Sequence, residues 1–225
     1  MKIVAAIPVH SLKKSLSLIR KANKKADLIE LRLDYAKKLD EKDLQKLISS
    51  ASKPVIATNR PKKEGGFFSG KENERISILE SAISIGVEYV DIEFSSGKKA
   101  ISELIKKKGL TKLILSHHDF KKTPSFSELK KLLKKMASLK PDIVKIICFA
   151  KSEKDNETMV LLIEEAHKMK IDIIAFCMGE KGKYSRMHSC DYGACFTFAS
   201  ISNEKKTAEG QFTIEEMRSY REEFA

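Results

Sequence analysis

The stretch "PDIVKIICFA" (residues 141–150) is apolar on both faces of an extended chain. Alternation puts Ile143, Lys145, Ile147 and Phe149 on one side and Val144, Ile146 and Cys148 on the other. A strand that is apolar on both sides belongs in a parallel sheet covered above and below. Lys145 is the exception. An ammonium buried without a partner is costly. A lysine in this place is therefore either a structural ion-pair partner or a reactive amine. A neutral amine attacks ketones and aldehydes to form a Schiff base. Burial and neighbouring cations favour the neutral form and carboxylates oppose it, so the sequence leaves the sign open. The Schiff-base reading is the favoured one.

Seven similar runs surround this one: "IVAAIPV" (3–9), "LIELRLDY" (28–35), "PVIATNR" (54–60), "YVDIEF" (89–94), "KLILSHHDF" (112–120), "DIIAFCMG" (172–179) and "ACFTFAS" (194–200). Segments of helical period lie between them. "ELKKLLKKMASL" (128–139) places Leu129, Leu132, Leu133 and Met136 on one stripe with lysines opposite. "ENERISILESAISIG" (72–86) and "NETMVLLIEEAHKM" (156–169) follow the same pattern. "TIEEMRSYREEF" (213–224) opens on a capping box, Thr213 with Glu216. Eight strand–helix repeats in 225 residues predict a single α/β domain over 1–225, a (β/α)8 TIM barrel. A doubly wound open sheet is the alternative. It would more naturally carry a glycine-rich loop after its first strand, and "AAIPVHSLKK" has no glycine.

Hydrophobic residues at 42% and charged residues at 33% fit a soluble globular chain rather than a disordered one. No apolar run reaches the roughly 18 residues of a membrane span, and "MKIVAAIPVH" leaves no room for a signal peptide. A cytoplasmic protein with no membrane partner is expected. The four cysteines, Cys148, Cys177, Cys190 and Cys195, have no C-x-x-C spacing and are expected to be reduced and buried. A zinc site from His188, Cys190 and Cys195 fits no common spacing, so no metal is expected. The net charge of +12 comes mostly from lysine pairs on helix-like segments, read as solvated outer faces. With aromatics at 7% and no nucleic-acid-binding motif, a nucleic-acid partner is not expected. A positive field raises the encounter rate with a small anion.

In a TIM barrel the chemistry sits at the C-terminal ends of the strands. Glu30, Arg32 and Asp34 share one face of strand two. Arg60 ends strand three and is followed by Glu64. Strand four carries Asp91 and Glu93, strand five ends in "SHHDF", and strand six carries Lys145. Converging on one mouth, these groups suit a lysine-imine enzyme. Glu30 or Glu93 is the partner expected if Lys145 is instead structural. Of His117 and His118, alternation lets only one face the mouth as a proton shuttle.

The pieces "ELRLD" (30–34), "R-PKKEGG" (60–66), "SHHDFKKTP" (116–124), "VKI" (144–146), "MGEKGKYSR" (178–186) and "AEGQ" (208–211) occur in that order. In this the chain resembles the type I 3-dehydroquinate dehydratases of the shikimate pathway, over essentially its whole length. The resemblance implies that Lys145 forms an imine with the C3 ketone of 3-dehydroquinate. His118 is then the general base at C2 and the acid for the departing C1 hydroxyl, in a syn elimination to 3-dehydroshikimate. Glu64 would orient or tune His118. Arg186 would bind the substrate carboxylate. Glu30, Arg32 and Arg60 would contact the ring hydroxyls, Met178 would form an apolar wall, and Thr207, Ala208 and Gln211 would close over the substrate. No cofactor is implied, because the imine is the electron sink, and a homodimer is the family's habit.

Three departures stand out. Thr207 occupies a position where serine is common. Ala5 or Ala6 replaces a strand-one serine. His117 stands where asparagine is common, and could perturb the pKa of His118. The loop at about 202–211 is expected to order with ligand. A class I aldolase is the competing enzyme reading. Its usual phosphate site is poorly matched by "NEKKTAEGQF", which has one glycine. A non-catalytic binding protein would not need Lys145, His118 and Glu64 together.

Overall fold

The computed structural model describes residues 1–202 and 210–223. Eight strands alternate with helices: β1 (Ile3–Pro8), β2 (Leu28–Arg32), β3 (Val55–Thr58), β4 (Tyr89–Glu93), β5 (Lys112–Asp119), β6 (Ile143–Phe149), β7 (Ile173–Met178) and β8 (Thr197–Ala199). The helices are α1 (Leu12–Lys25), α2 (Glu41–Ser49), α3 (Glu72–Ile85), α4 (Lys98–Lys107), α5 (Phe126–Ala137), α6 (Lys154–Lys168), α7 (Lys183–His188) and α8 (Ile214–Glu223). All strand pairs are parallel, in the order β7-β6-β5-β4-β3-β2-β1-β8. The two ends of the sheet meet where the Cys195 N–H donates to the Ile173 carbonyl (2.8 Å). The result is a nearly closed (β/α)8 barrel.

The period of two sorts the apolar residues into two layers. Val4, Leu28, Ile56, Ile114, Ile143, Ile174 and Phe196 fill the barrel interior. Ala5, Ile29, Leu31, Val90, Val144, Ile146 and Cys148 face outward and pack beneath the helices. That second layer explains why residues 141–150 are apolar on both faces. The helices supply the matching stripes. In α5, Leu129, Leu133 and Met136 are buried, and the helix starts where Ser125 and Glu128 form a capping box. Thr213 and Glu216 cap α8 in the same way, with reciprocal bonds of 2.6 and 3.1 Å.

Two strands are shorter than their apolar runs. β8 covers three residues of the expected 194–200, because its ends are tied elsewhere. The Ala194 N–H bonds back to the Ser189 carbonyl (3.0 Å), and the Ser200 N–H bonds to the Phe212 carbonyl (2.9 Å). β3 stops at Thr58, yet the alternation continues: Arg60 turns to the mouth and Asn59 toward α3, where its side chain donates to the Arg75 carbonyl (3.3 Å). All four thiols are free. Cys148 and Cys177 are buried as expected, whereas Cys190 and Cys195 are only half-buried. Among the described residues, no helix is long and apolar enough to cross a membrane.

Candidate active site

The C-terminal ends of the strands surround a cavity of about 850 Å³, its open mouth included. Glu30, Arg32, Arg60, Glu64, His118, Lys145, Met178, Arg186 and Gln211 all line it. Thr207 and Ala208 lie outside the described residues. Of the two candidate alanines, Ala6 lines the cavity and Ala5 packs in the outer layer.

Lys145 is 4% exposed. Its Nζ lies 2.9 Å from Asp91 Oδ2 and 3.8 Å from Glu30 Oε1, and 4.2 Å from the centre of the Phe198 ring. The nearest carboxylate is thus Asp91. Glu93, one of the two partners expected from sequence, is taken by arginines. Strand order explains the correction. In β4, Asp91 and Glu93 share the inward face, but Glu93 sits one step nearer the mouth, level with the guanidinium groups. Glu30 Oε1 accepts a bond from Thr58 Oγ1 at 2.8 Å.

Arg60 is the hub of the mouth. Its Nη2 donates to Asp91 Oδ2 (2.9 Å), and its Nη1 donates to Glu93 Oε1 (3.0 Å) and Ser116 Oγ (3.1 Å). Burial lowers its pKa, but Asp91 and Glu93 outweigh that, so the net shift is upward. Ser116 Oγ in turn donates to Asp91 Oδ1 at 2.6 Å. Burial alone would raise the Asp91 carboxyl. Arg60 and Lys145 instead hold it far below the usual carboxylate range.

His118 Nδ1 is 3.3 Å from Glu64 Oε2 and 3.3 Å from Arg60 Nη1. Burial, then the charge on Arg60, push the imidazole down to about 3, with Glu64 pulling the other way. His118 is therefore neutral near pH 7, the protonation state a base needs. Burial raises the Glu64 carboxyl, but the contacts with His118, the hydroxyl of Ser95 and the charge of Arg60 leave it below its usual value. His117 stands level with Ile146 of β6, an outward-facing residue, so it points toward the helices.

The β7 side of the cavity is different. Arg186, 1% exposed, lies over the Phe176 ring at 4.4 Å, among Met178 and Phe198. Its Nε and Nη2 have no hydrogen-bond partner among the described residues. Burial lowers its pKa to about 10, and the side chain stays cationic. A buried fork of donors without an acceptor suits a carboxylate ligand. Arg32 is not free in this way, because its Nε and Nη2 grip Asp34 at 2.9 and 2.8 Å. Asp34, placed by the alternation beside Glu30 and Arg32, sits in the turn after β2 and serves that pair.

The sequence placed Asp91 at the mouth without making it the partner of Lys145, and gave no role to Ser95, Ser116, Phe120, Phe149, Phe176 or Phe198. Asp91 had a signal, its inward register two residues before Glu93. The aromatic walls had none that separates them from ordinary core. The glycines of "EGGFFSG" do what their position suggests. Gly65 has φ +75°, and a Cβ there would lie 2.2 Å from the Phe120 ring that covers it.

A family model described as Type I 3-dehydroquinase matches residues 3–223. The chain is 38% identical over 217 residues to the 3-dehydroquinate dehydratase of Pyrococcus abyssi, covering 96% of this chain and 95% of that one. It is 37% identical over 195 residues to that of Desulfotalea psychrophila, covering 86% and 85%. A crystal structure of the type I 3-dehydroquinate dehydratase of Clostridium difficile with covalently modified comenic acid superposes with a TM-score of 0.90. The identity is 26%, over 99% of this chain and 91% of that one.

Proposed function

The chain belongs to the type I 3-dehydroquinase family and is a hydro-lyase, and from that premise we propose that it dehydrates 3-dehydroquinate through a Schiff base on Lys145. The observation that carries the mechanism is the meeting of one buried strand lysine with one largely buried histidine, held beside Glu64 and Arg60, at a single cavity. Lys145 Nζ passes its extra proton to His118 and attacks the C3 ketone, and the return of that proton to the carbinolamine oxygen lets it depart as water, leaving the protonated imine. The protonated imine makes the C2 hydrogen acidic. Glu64 accepts from His118 Nδ1–H, which leaves the Nε2 lone pair as the base. His118 removes the C2 proton to give an enamine. The C1–O bond then breaks, and the hydroxyl leaves as water with the proton that His118 returns. Hydrolysis of the conjugated imine releases 3-dehydroshikimate and restores Lys145, for a net loss of one water.

Arg186 receives the substrate carboxylate, and its unpartnered nitrogens support that role. Glu30, Arg32 and Arg60 face the ring hydroxyls, Met178 packs against the ring, and Gln211 closes the β8 side. Asp91 remains beside the nitrogen as counter-ion to the iminium. The reading carries with it the third step of chorismate biosynthesis, a cytoplasmic location and a homodimer; light scattering of the purified protein checks the last of these. The mechanism is tested by adding sodium borohydride to protein and 3-dehydroquinate and mapping the adduct by peptide mass spectrometry. An adduct on Lys145 is expected. An active, folded sample that gives none would remove the Schiff base.

A further inference from the structure

Arg75 lies in the first turn of α3, outside the cavity, and is 0% exposed. A fully buried arginine on a barrel helix is unusual, since helices of this fold turn their long charged side chains to water. Its contacts reach across three elements. Nε and Nη2 donate to the Glu72 carboxylate at 2.9 and 2.8 Å, Nη2 donates to Ser96 Oγ (2.6 Å) beyond β4, and Nη1 donates to the Asn59 carbonyl (2.8 Å) beyond β3. Nη1 also forms an ion pair of 2.6 Å with Glu93 Oε2. The other oxygen of Glu93 accepts from Arg60 (3.0 Å), and Arg60 holds the Asp91 oxygen that holds Lys145.

A continuous chain of charge thus runs from α3 to the nitrogen of Lys145. Every link is within 3.0 Å, and alternating sign makes each group the counter-ion of the next. Arg60 Nη1 also stands 3.3 Å from His118 Nδ1, so its position bears on the histidine as well as the lysine.

We propose that Arg75 and Glu93 are positioning residues for the dehydration: together they fix Arg60, and through it the electrostatic setting of Lys145 and His118. This rests on the Schiff-base reading above. Glu93 cannot do the work alone. Burial pushes its carboxyl up to about 7, against the pull of Arg60 and Arg75, and Asp91 and Glu64 add to the rise. Without Arg75 the carboxyl loses one of the two cations that oppose that rise and is protonated more readily, and Arg60 keeps Asp91 as its remaining close charged carboxylate.

The test is the double variant Arg75→Met with Glu93→Gln, which removes both charges and leaves neither unpaired in the interior. Arg60 is then less neutralised. Lys145 and His118, which face it, experience a more positive field, and the imidazole, already pushed down by Arg60, is pushed further. The expected result is a fall of about tenfold or more in kcat with KM changed by less than about twofold. The kcat–pH profile moves to lower pH by about half a unit. The single variant Arg75→Lys, with Glu93 intact, keeps the alternating charges and a profile near wild type. A folded double variant with wild-type kcat and profile overturns the proposal. So does a variant whose melting temperature drops while kcat and profile do not move. Borohydride trapping on the wild-type protein separates the two claims. No adduct there sinks the Schiff-base reading itself, whereas an adduct with an unaffected double variant sinks only the role of Arg75 and Glu93.

Discussion

The β3–β5 side of the mouth and its β7 side both bury arginine, and they treat it in opposite ways. On the first side Arg60 and Arg75 are surrounded by acceptors: Asp91, Glu93, Ser116, Glu72, Ser96 and the Asn59 carbonyl. On the second, Arg186 lies against Phe176 with two of its nitrogens unpartnered among the described residues. A satisfied guanidinium is rigid and adds to the stability of the ligand-free protein. An unsatisfied one costs stability until an anion arrives, and then gives back more than a surface arginine would. One half of the mouth is thus organised before binding, to hold Lys145 and His118 in place. The other half reserves its hydrogen bonds for the ligand.

The largest effect that sharpens this contrast is expected on the organised side. Lys145→Ala should lower turnover by about 10⁴-fold or more, because no other group supplies the covalent step. The fold should survive, since Asp91 keeps Arg60 and Ser116 as partners; steady-state kinetics and circular dichroism check both halves of the statement. A cell in which the variant still turns over at wild-type rate would break the contrast outright.

Two of the buried arginines, Arg75 and Arg186, offer the next test, through opposite signs. Arg75→Met leaves Glu93 with Arg60 as its one remaining arginine, removes a partner from the half-exposed Glu72, and is expected to destabilise the protein by about 1–3 kcal/mol. Arg186→Met removes an uncompensated buried cation and places a methionine against Phe176. It should stabilise the ligand-free protein by about 1–2 kcal/mol while lowering kcat/KM by about 10²-fold. Urea unfolding of both variants decides. If both are destabilised alike, Arg186 is not waiting for a ligand.

The smallest effect is the pH dependence of stability. His118 is held neutral in the fold, at about 3 against its ordinary 6.5. Between those values the unfolded chain takes up a proton that the native site refuses, so stability falls as pH drops through the window. His118→Asn removes that liability. Its stability should fall less steeply from pH 6.5 to 4.5, by up to about 1.4 kcal/mol per pH unit. Equal slopes for wild type and variant in denaturant titrations would mean that the histidine is not buried neutral.

Much of this was legible in the chain. The apolar run on both faces of "PDIVKIICFA", broken only by Lys145, called for a sheet covered on both faces, and eight strand-like runs between helical segments called for a barrel. The same alternation put Glu30, Arg32, Asp91, Glu93 and Lys145 on inward faces. The rest depended on distances across the chain. Asp91 and Lys145 are 54 positions apart, and nothing local chooses Asp91 over Glu30 or Glu93; the stagger of neighbouring strands does. Arg75 sits in a segment whose charges read as solvated, and only the packing of α3 on the loops after β3 and β4 turns it inward.

The sequence by itself therefore determined the element types, their order and which side chains face the barrel axis, because hydrophobic periodicity is a local property read within a few residues. The tertiary structure alone decided which buried charges are paired, which carboxylate reaches the lysine and which arginine is left without an acceptor. Those outcomes hinge on separations of a few ångströms between residues far apart in the chain. Coulomb and hydrogen-bond energies fall off over just such distances, and composition and spacing do not encode them.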